Sequence, residues 1–278
     1  MSSAFEGHGL RRVFHARRRG LLPSVSMRTG SSLHTFFDSV LPRPQGQAYV
    51  LLVLATLTWG ANAVAARLAV GEVSPMMLTF SRWIVCCLAL GLCARRQIAL
   101  HWRSLLPSWR LITVMGALGF TGFNALFYAA AHHTTAINIA IIQGTIPVLV
   151  LLGSLLFFRT RVGGLQLVGV ALTLAGIVVV ASGGHPAQMA ELGFNIGEVW
   201  MIVASLFYAA YGLGLRGRPD VPAIVFFAAT AAVACLVSVP LLVAEIAMGD
   251  FFMPTSTGWG LILFVGLLPS FISQVTFI

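Results

Sequence analysis

Residues 59–82 have the sequence WGANAVAARLAVGEVSPMMLTFSR, and this stretch decides the fold. It predicts an apolar helix, a short turn at Ser74-Pro75, and an apolar helix that returns in the opposite direction. Asn62 lies in the first helix and Arg82 in the second. Such side chains are costly inside lipid unless protein or water matches them. We therefore expect both to be paired or to take part in function.

The composition of the whole chain fits this interpretation. Hydrophobic residues make up 58% of the 278 residues, charged residues only 9%, and the mean hydropathy is +0.91. A chain of this kind is too apolar for a soluble domain and too long for a single membrane span. We predict a polytopic membrane protein.

Eight apolar runs follow from Ala48 onward, each long enough to cross about 30 Å of hydrocarbon as a helix. The predicted spans are 48–70, 76–94, 111–131, 135–158, 164–182, 196–215, 221–244 and 258–278. The runs lack the alternating period of barrel strands, and backbone polar groups in lipid must be satisfied within the segment. The predicted fold class is therefore an all-α bundle with about eight transmembrane helices.

Residues 1–47 form a basic, polar segment with seven arginines and two acidic residues. We predict a disordered cytoplasmic tail beside the lipid headgroups, with a transit peptide as the alternative. A cytoplasmic tail places 15 of the 17 arginines on the same side and leaves Arg67 and Arg82 as exceptions. We expect a multi-pass protein of the inner membrane. Its net charge of +9 then sets topology and attracts anionic lipid, and no nucleic acid partner is expected.

An internal repeat is visible in the apolar part. Residues 109–118, WRLITVMGAL, align with residues 259–268, WGLILFVGLL, at an offset of 150. Residues 55–59, ATLTW, align with residues 204–208, ASLFY, at an offset of 149. This offset covers five predicted spans, which is an odd number, so the second copy must be threaded in the opposite sense. Inverted repeats of this kind are typical of secondary transporters, whose binding cavity lies between the copies.

The repeat predicts the domain organisation. Residues 48–182 form a first repeat of five helices, and residues 196–278 form a second repeat with three. The same offset pairs Asn124 with Gln274. A complete 5+5 arrangement would need two further spans, so we expect the chain to be truncated after its eighth helix.

Several short motifs occur in a fixed order. They are Trp59-Gly60-x-Asn62, Arg67, Ser74-Pro75, Arg82, Asn124, Tyr128, Ala136 to Pro147, Leu165-Gln166-Leu167-x-Gly169 and Gly176. In this order the chain from residue 50 to 278 resembles the EamA family of the drug/metabolite transporter superfamily. The resemblance implies a ten-helix inverted repeat that carries small metabolites. Two positions depart from the family pattern: Arg67 stands where lysine is usual, and Arg159-Thr160-Arg161 replaces the common Gly-Glu-Arg.

Residues three, four and seven apart lie on one side of a helix. Polar and aromatic side chains that share a helix face are therefore predicted to line a cavity. The predicted cavity residues are Trp59, Asn62, Thr79, Arg82, Asn124, Tyr128, Asn138, Thr145, Tyr208, Tyr211, Ser273 and Gln274, with Phe120 and Ser270 on the same stripes. An apolar, aromatic surface with a few amides and hydroxyls suits a small amphipathic metabolite. The alternative for each Asn, Ser and Thr is a hydrogen bond between helices.

Arg82 is the strongest candidate for a functional role. It could hold an anionic group such as a substrate carboxylate, or pair with Glu72 or a backbone carbonyl. Arg67 is close enough to the rim for its guanidinium to reach the headgroups. Pro147 and Pro269 lie inside predicted spans, where each frees a backbone carbonyl that can kink the helix or line a cavity. Kinking is the commoner outcome, and we expect it here.

The predicted function is a secondary carrier that exports a small metabolite or drug-like molecule by alternating access. Its expected partners are that molecule and the bilayer, with a homodimer left open. The alternatives are a truncated, non-transporting membrane scaffold and an intramembrane enzyme. An enzyme would need a nucleophile or a carboxylate–histidine cluster at one depth, and Glu245, the acid nearest a helix interior, stands at a helix end. We predict no enzymatic activity, no catalytic residue, no cofactor and no metal site, since CxxC and phosphate-loop motifs are absent from the sequence.

Overall fold

The computed structural model describes residues 44–160, 162–181 and 195–277. The predicted tail, residues 1–47, lies outside this part except for its last four residues, and so does most of the connection between the two predicted repeats. Every regular element in the described part is a helix. The predicted all-α class is therefore confirmed.

Eleven α-helices are present in the described ranges. They are α1 Pro44–Leu68, α2 Pro75–Leu105, α3 Trp109–Val114, α4 Phe123–Ala130, α5 Ala136–Gln143, α6 Ile146–Phe158, α7 Gly164–Ala181, α8 Ile196–Gly214, α9 Ala223–Met248, α10 Ser256–Val265 and α11 Ser273–Phe277. A π-helix, Met115–Gly122, joins α3 to α4, and a second, Gly266–Ile272, joins α10 to α11. Short 3₁₀ turns follow α2 and α8.

Six helical stretches in the described part are long and apolar enough to cross a membrane. One of them, Pro75–Ala130, has 56 residues and would be about 84 Å long if straight. The chain instead turns back within this stretch. The hydrogen bonds of Arg82 to Asn124 and Tyr128 show that its two parts lie side by side. With this stretch counted as two crossings and the shorter apolar helix Gly164–Ile177 as one, the helices correspond to the eight predicted spans. The chain is a multi-pass membrane protein.

Local sequence explains where the helices begin and end. Ser74 is extended at the start of α2, and Pro75 occupies the first helical turn, where its missing N–H costs nothing. Asn195 and Glu198 form a capping box at the start of α8. Gly249 ends α9 with a φ of 82°, a left-handed conformation that glycine adopts without strain.

The predicted span 135–158 is interrupted rather than continuous. Helix α5 ends at Gln143, and α6 begins at Ile146 with Pro147 in its first turn. Proline is tolerated there because the first N–H groups of a helix have no partner within it. Pro147 therefore opens a new helix, and the expectation that it would kink a continuous one is corrected.

The two π-helices occupy corresponding positions. They begin 151 residues apart and end 150 residues apart, in agreement with the offset found in the sequence. Pro269 lies within the second, where a residue without an N–H is accommodated by the wider turn. In the first, a Cβ on Gly119 would lie 2.4 Å from Tyr211 Cβ, so glycine permits close approach of α8.

Two clusters of buried side chains form the core. One includes Phe127, Tyr128 and Met201, and the other includes Trp83 and Phe120 with residues of α9. Both clusters contribute walls to a central cavity. The core thus places a cavity among the helices.

Candidate functional site

A cavity of about 300 Å³ is lined by residues of α1, α2, α4, α5, α6, α8, α11 and both π-helices. Its walls are mostly apolar and aromatic, with one arginine and several amides and hydroxyls. The lining residues are Thr56, Trp59, Gly60, Asn62, Arg82, Trp83, Phe120, Phe123, Asn124, Ala140, Gln143, Gly144, Ile146, Pro147, Tyr208, Pro269, Ser270 and Gln274. Both the amino-terminal and the carboxyl-terminal parts of the chain contribute to it.

Six of the twelve predicted cavity residues line this space. They are Trp59, Asn62, Arg82, Asn124, Tyr208 and Gln274. Asn124 and Gln274, which the repeat offset pairs, both lie on the wall just after a π-helix. Whether these side chains bind a solute stays a prediction.

Arg82 is held by three neutral acceptors. Its Nε donates to Ser270 Oγ at 2.8 Å, and its Nη1 donates to Asn124 Oδ1 and to the Tyr128 hydroxyl. The residue is only 4% exposed. The alternative considered for Arg82, pairing with Glu72, does not form, and the Glu72 carboxylate accepts from the Thr255 hydroxyl.

The acceptors around Arg82 are themselves oriented by further hydrogen bonds. The Tyr128 hydroxyl donates to Asn62 Oδ1 at 3.1 Å, and Asn124 Nδ2 donates to the Phe120 carbonyl at 2.6 Å. These bonds leave the oxygens of Asn124 and Tyr128 facing the guanidinium. Tyr128 therefore lies outside the cavity lining and connects Asn62 to Arg82 by hydrogen bonds.

Gln274, which also lines the cavity, donates from Nε2 to the Tyr208 hydroxyl at 3.1 Å. The ring of Tyr208 meets that of Trp59 edge-on, with the centroids 6.3 Å apart. These two aromatic residues are the ones that the sequence repeat aligns. The aromatic wall of the cavity is thus shared by both halves of the chain.

Two predicted residues bond to the backbone three or four positions earlier in the chain. The Thr79 hydroxyl donates to the Pro75 carbonyl at 2.9 Å, and the Thr145 hydroxyl donates to the Ile142 carbonyl at 2.6 Å. Such bonds to a residue three or four positions earlier are common for threonine in helices. The structure places neither side chain on the cavity wall.

Tyr211 and Ser273 also lie outside the lining. The Tyr211 ring packs on Phe120, with the centroids 4.8 Å apart. The Ser273 hydroxyl donates to the Ala55 carbonyl at 3.3 Å and so joins α11 to α1. Their roles here are packing and a bond between helices, the alternative considered for hydroxyl side chains.

The sequence reasoning missed several lining residues. Thr56 continues the stripe of Trp59 and Asn62 by one more turn, so a longer stripe would have found it. Gln143 is a polar residue within an apolar span, which is a signal in itself. Gly144 is on the wall because the chain breaks there, and no periodic pattern reveals such a break.

Turns 69–75, 131–135 and 249–255 form one end of the bundle, which we call the acidic end. Carboxylates at this end hydrogen-bond to residues of other helices and turns. Glu245 of α9 is 4% exposed and accepts from the Ser74 hydroxyl at 2.7 Å. It also accepts from the backbone N–H groups of Met76 at 2.9 Å and Met77 at 3.2 Å. A carboxylate at a helix N-terminus is favoured because the N–H groups there are otherwise unpaired.

Two more carboxylates join the same parts of the chain. Glu198 accepts from Asn138 Nδ2 at 2.8 Å and from the Thr134 hydroxyl at 3.3 Å. Glu72 accepts from the Thr255 hydroxyl, while Thr255 N donates to the Glu72 carbonyl at 3.0 Å. Asn138, predicted to line the cavity, belongs to this end instead because its helix begins here.

Arg67 and His132 also lie at the acidic end, apart from the hydrogen bonds of Glu72, Glu198 and Glu245 described above. Arg67 is exposed, and its Nη1 donates to the Ala131 carbonyl at 2.6 Å. Burial lowers the pKa of His132, and the neighbouring His133 and Arg67 lower it further, while Glu245 raises it. No group of His, Cys, Asp or Glu residues in the described part is arranged to hold a metal ion.

The fold and cavity define the class as a helical membrane protein with a partly polar cavity among its helices. One solved structure, titled only as the crystal structure of a protein, matches 84% of this chain and 78% of its own, with a TM-score of 0.62. The two sequences are 20% identical. This likeness establishes the fold.

Curated relatives share part of the sequence. The uncharacterized transporter YyaM of Bacillus subtilis is 28% identical over 108 residues, which are 38% of this chain and 35% of the relative. An uncharacterized transporter of Archaeoglobus fulgidus is 28% identical over 59% of this chain and 56% of its own. The uncharacterized inner membrane transporter YhbE of Escherichia coli K12 is 21% identical over 60% and 53%. The matches thus span between a third and somewhat more than half of these relatives.

Residues 46–182 match the EamA-like transporter family. Over these residues, 137 of the 278, the chain is similar to that family. The matched segment coincides almost completely with the predicted first repeat, residues 48–182. It contains Arg82 and, from its hydrogen-bond network, Asn124, Tyr128 and Asn62.

Proposed function

We propose that the protein is a secondary carrier that moves a small molecule across the membrane by alternating access. The observation that carries this proposal is the central cavity, because polar and aromatic side chains from both halves of the chain converge on it. Transporters built from inverted repeats bind their solutes in such a space between the repeats. The match of residues 46–182 to the EamA-like transporter family and the names of the relatives support the same function.

The repeat itself is supported by the matching positions of the two π-helices and by the aligned pairs on the wall. In this arrangement residues 48–182 move against residues 196–278. Glu72, Glu198 and Glu245 each hydrogen-bond across this division. The proposed motion therefore breaks these contacts at the acidic end while the opposite end closes.

The proposed direction is export from the cytoplasm. Its support is the distribution of arginine, which places the end opposite the acidic one in the cytoplasm. With the acidic end joined by hydrogen bonds, the cavity would accept solute from the arginine-rich side. The same argument supports a cytoplasmic amino terminus, and the name of the relative YhbE supports localisation in the inner membrane.

A reversible cross-link at the acidic end tests the carrier. Glu72 and Thr255 are replaced by cysteine in a background that lacks the four native cysteines, because their backbones already lie within hydrogen-bonding distance. Proteoliposomes are loaded with a defined mixture of amino acids, organic acids, hexoses and nucleosides, and release is followed by mass spectrometry. We expect at least one solute to leave faster than from protein-free vesicles, to stop on oxidation, and to resume on reduction.

The single-cysteine variants are the matched controls, and oxidation should leave their release unchanged. Release of every solute at the protein-free rate would contradict the carrier and favour the membrane scaffold. Release that continues in the cross-linked protein would contradict opening at the acidic end. Conversion of any solute to a product in the same samples would favour an enzyme.

A further inference from the structure

Arg82 carries a positive charge that its surroundings do not neutralise. All three of its hydrogen-bond acceptors are neutral, namely Ser270, Asn124 and Tyr128. Neutral dipoles orient a guanidinium, but they leave its net charge in place. A charge at this depth is costly, and such residues are a functional signal in membrane helices.

The acidic side chains in the described ranges lie elsewhere. Glu72, Glu198 and Glu245 accept hydrogen bonds at the acidic end. Asp220 lies in the turn before α9, and Asp250 is exposed in the turn after it. Within this part of the chain, the counter-charge for Arg82 is thus missing from the hydrogen-bonding shell of its guanidinium.

Donor capacity remains on the same wall. The hydrogen bonds of Arg82 within the described residues use Nε and Nη1, which leaves both N–H groups of Nη2 for an acceptor. Trp83, next in sequence, also lines the cavity and is 2% exposed. Its buried Nε1 has no hydrogen-bond partner among the described residues. A buried donor without a partner costs free energy, which an acceptor on a ligand would recover.

From these observations we propose that the cavity binds the anionic group of its solute at Arg82, so that the solute is a small carboxylate with an apolar or aromatic body. The carboxylate accepts from Arg82 Nη2, with Trp83 Nε1 as a second donor. The aromatic walls, including Trp59, Phe123 and Tyr208, contact the rest of the molecule. This inference rests on the proposed function, because it names the solute class of the same cavity.

Three ligands of nearly the same shape and different charge test the proposal. The full chain is purified in detergent, and the affinities of 2-naphthoate, 2-naphthamide and 2-naphthylmethylamine are measured by isothermal titration calorimetry. We expect the carboxylate to bind at least about tenfold tighter than the neutral amide, and the cationic amine to bind weakest. Equal affinities for the three ligands, or no binding of the carboxylate, would overturn the proposal.

Matched variants locate the effect. Arg82→Gln should abolish the advantage of carboxylate over amide, and Arg82→Lys should keep part of it because the charge remains. Trp83→Phe should weaken carboxylate binding about threefold and amide binding less. Arg67→Gln removes one arginine of the same stretch away from the cavity wall, and it should keep the full preference. A preference that survives Arg82→Gln, or that disappears in Arg67→Gln, would contradict the assignment to Arg82.

Size-exclusion profiles and melting temperatures show whether each variant is folded, and Arg82→Lys keeps the test valid if Arg82→Gln does not fold. The outcome is separable from that of the carrier proposal. Binding of the carboxylate without release of any solute would overturn the carrier alone. Release of neutral solutes without a preference for the carboxylate would overturn this inference alone.

Discussion

The acidic end and the central cavity both place charged side chains among apolar helices, but they satisfy them differently. At the acidic end, Glu245 receives three hydrogen bonds from a hydroxyl and two backbone N–H groups. In the cavity, Arg82 donates from Nε and Nη1 to neutral acceptors, and its Nη2 donates no hydrogen bond to the described residues. The carboxylate of Glu245 is thus satisfied by the protein itself, whereas the guanidinium of Arg82 keeps donors for a ligand. Substitutions at the acidic end should therefore change stability, and those at the cavity wall should change binding.

The largest expected effect is at Glu245. Glu245→Ala leaves the Ser74 hydroxyl and the first N–H groups of α2 without their acceptor, so we expect a loss of about 4 kcal/mol in unfolding free energy. Thermal unfolding in detergent measures it. Asp250→Ala is the control, because Asp250 is exposed in the next turn and should change stability by less than about 0.5 kcal/mol. Equal melting temperatures for the two variants would remove the distinction between the two regions.

Gly119 and Gly60 separate the effect of a side chain added at a packed helix interface from that of one added on the cavity wall. A Cβ at Gly119 would lie 2.4 Å from Tyr211 Cβ, so Gly119→Ala should destabilise the protein by about 2 kcal/mol. Gly60 lines the cavity, and a Cβ there would meet nothing within 4 Å. Gly60→Ala should leave stability unchanged or raise it by about 0.5 kcal/mol, since alanine favours the helix. A destabilised Gly60→Ala would show that the space is filled.

A smaller effect is expected at Tyr128, which links the two polar residues of the opening stretch. Tyr128→Phe removes the hydroxyl that accepts from Arg82 and donates to Asn62. The loss should be about 1 kcal/mol of unfolding free energy, because the ring and its packing remain. Affinity for 2-naphthoate should fall less than in Arg82→Gln. The reverse order would make Tyr128 rather than Arg82 the main determinant of binding.

The smallest effect concerns pH at the acidic end. The pKa of His132 lies below its ordinary value of 6.5 in the folded protein, chiefly because of burial. The unfolded chain then binds more protons than the folded one just below pH 6.5, so stability should fall as pH decreases through this window. His132→Gln should reduce that slope in melting temperature measured against pH. An unchanged slope would assign the pH dependence to other groups.

The sequence predicts the fold better than the site. Hydropathy locates the apolar helices because a span must satisfy its own backbone, which leaves a strong local signal. The stripe rule brings Trp59, Asn62 and Arg82 to the wall because their helices are regular. It fails for Thr145, since the chain breaks at that point, and for Asn138, since its helix begins beside Glu198. Contacts between distant residues, such as that of Glu245 with Ser74, have no signature in the local pattern.

The most direct test of the account is the distance between the two halves at each end of the bundle. Spin labels at Leu68 and Met253 report on the acidic end, and labels at Leu106 and Arg218 report on the opposite end, since all four side chains are exposed. Double electron–electron resonance in nanodiscs should show two distances for each pair. In Glu245→Gln, whose contact with α2 is weakened, the longer distance should gain population at the acidic end and lose it at the opposite end. A single distance at both ends, unchanged in this variant and by 2-naphthoate, would contradict alternating access.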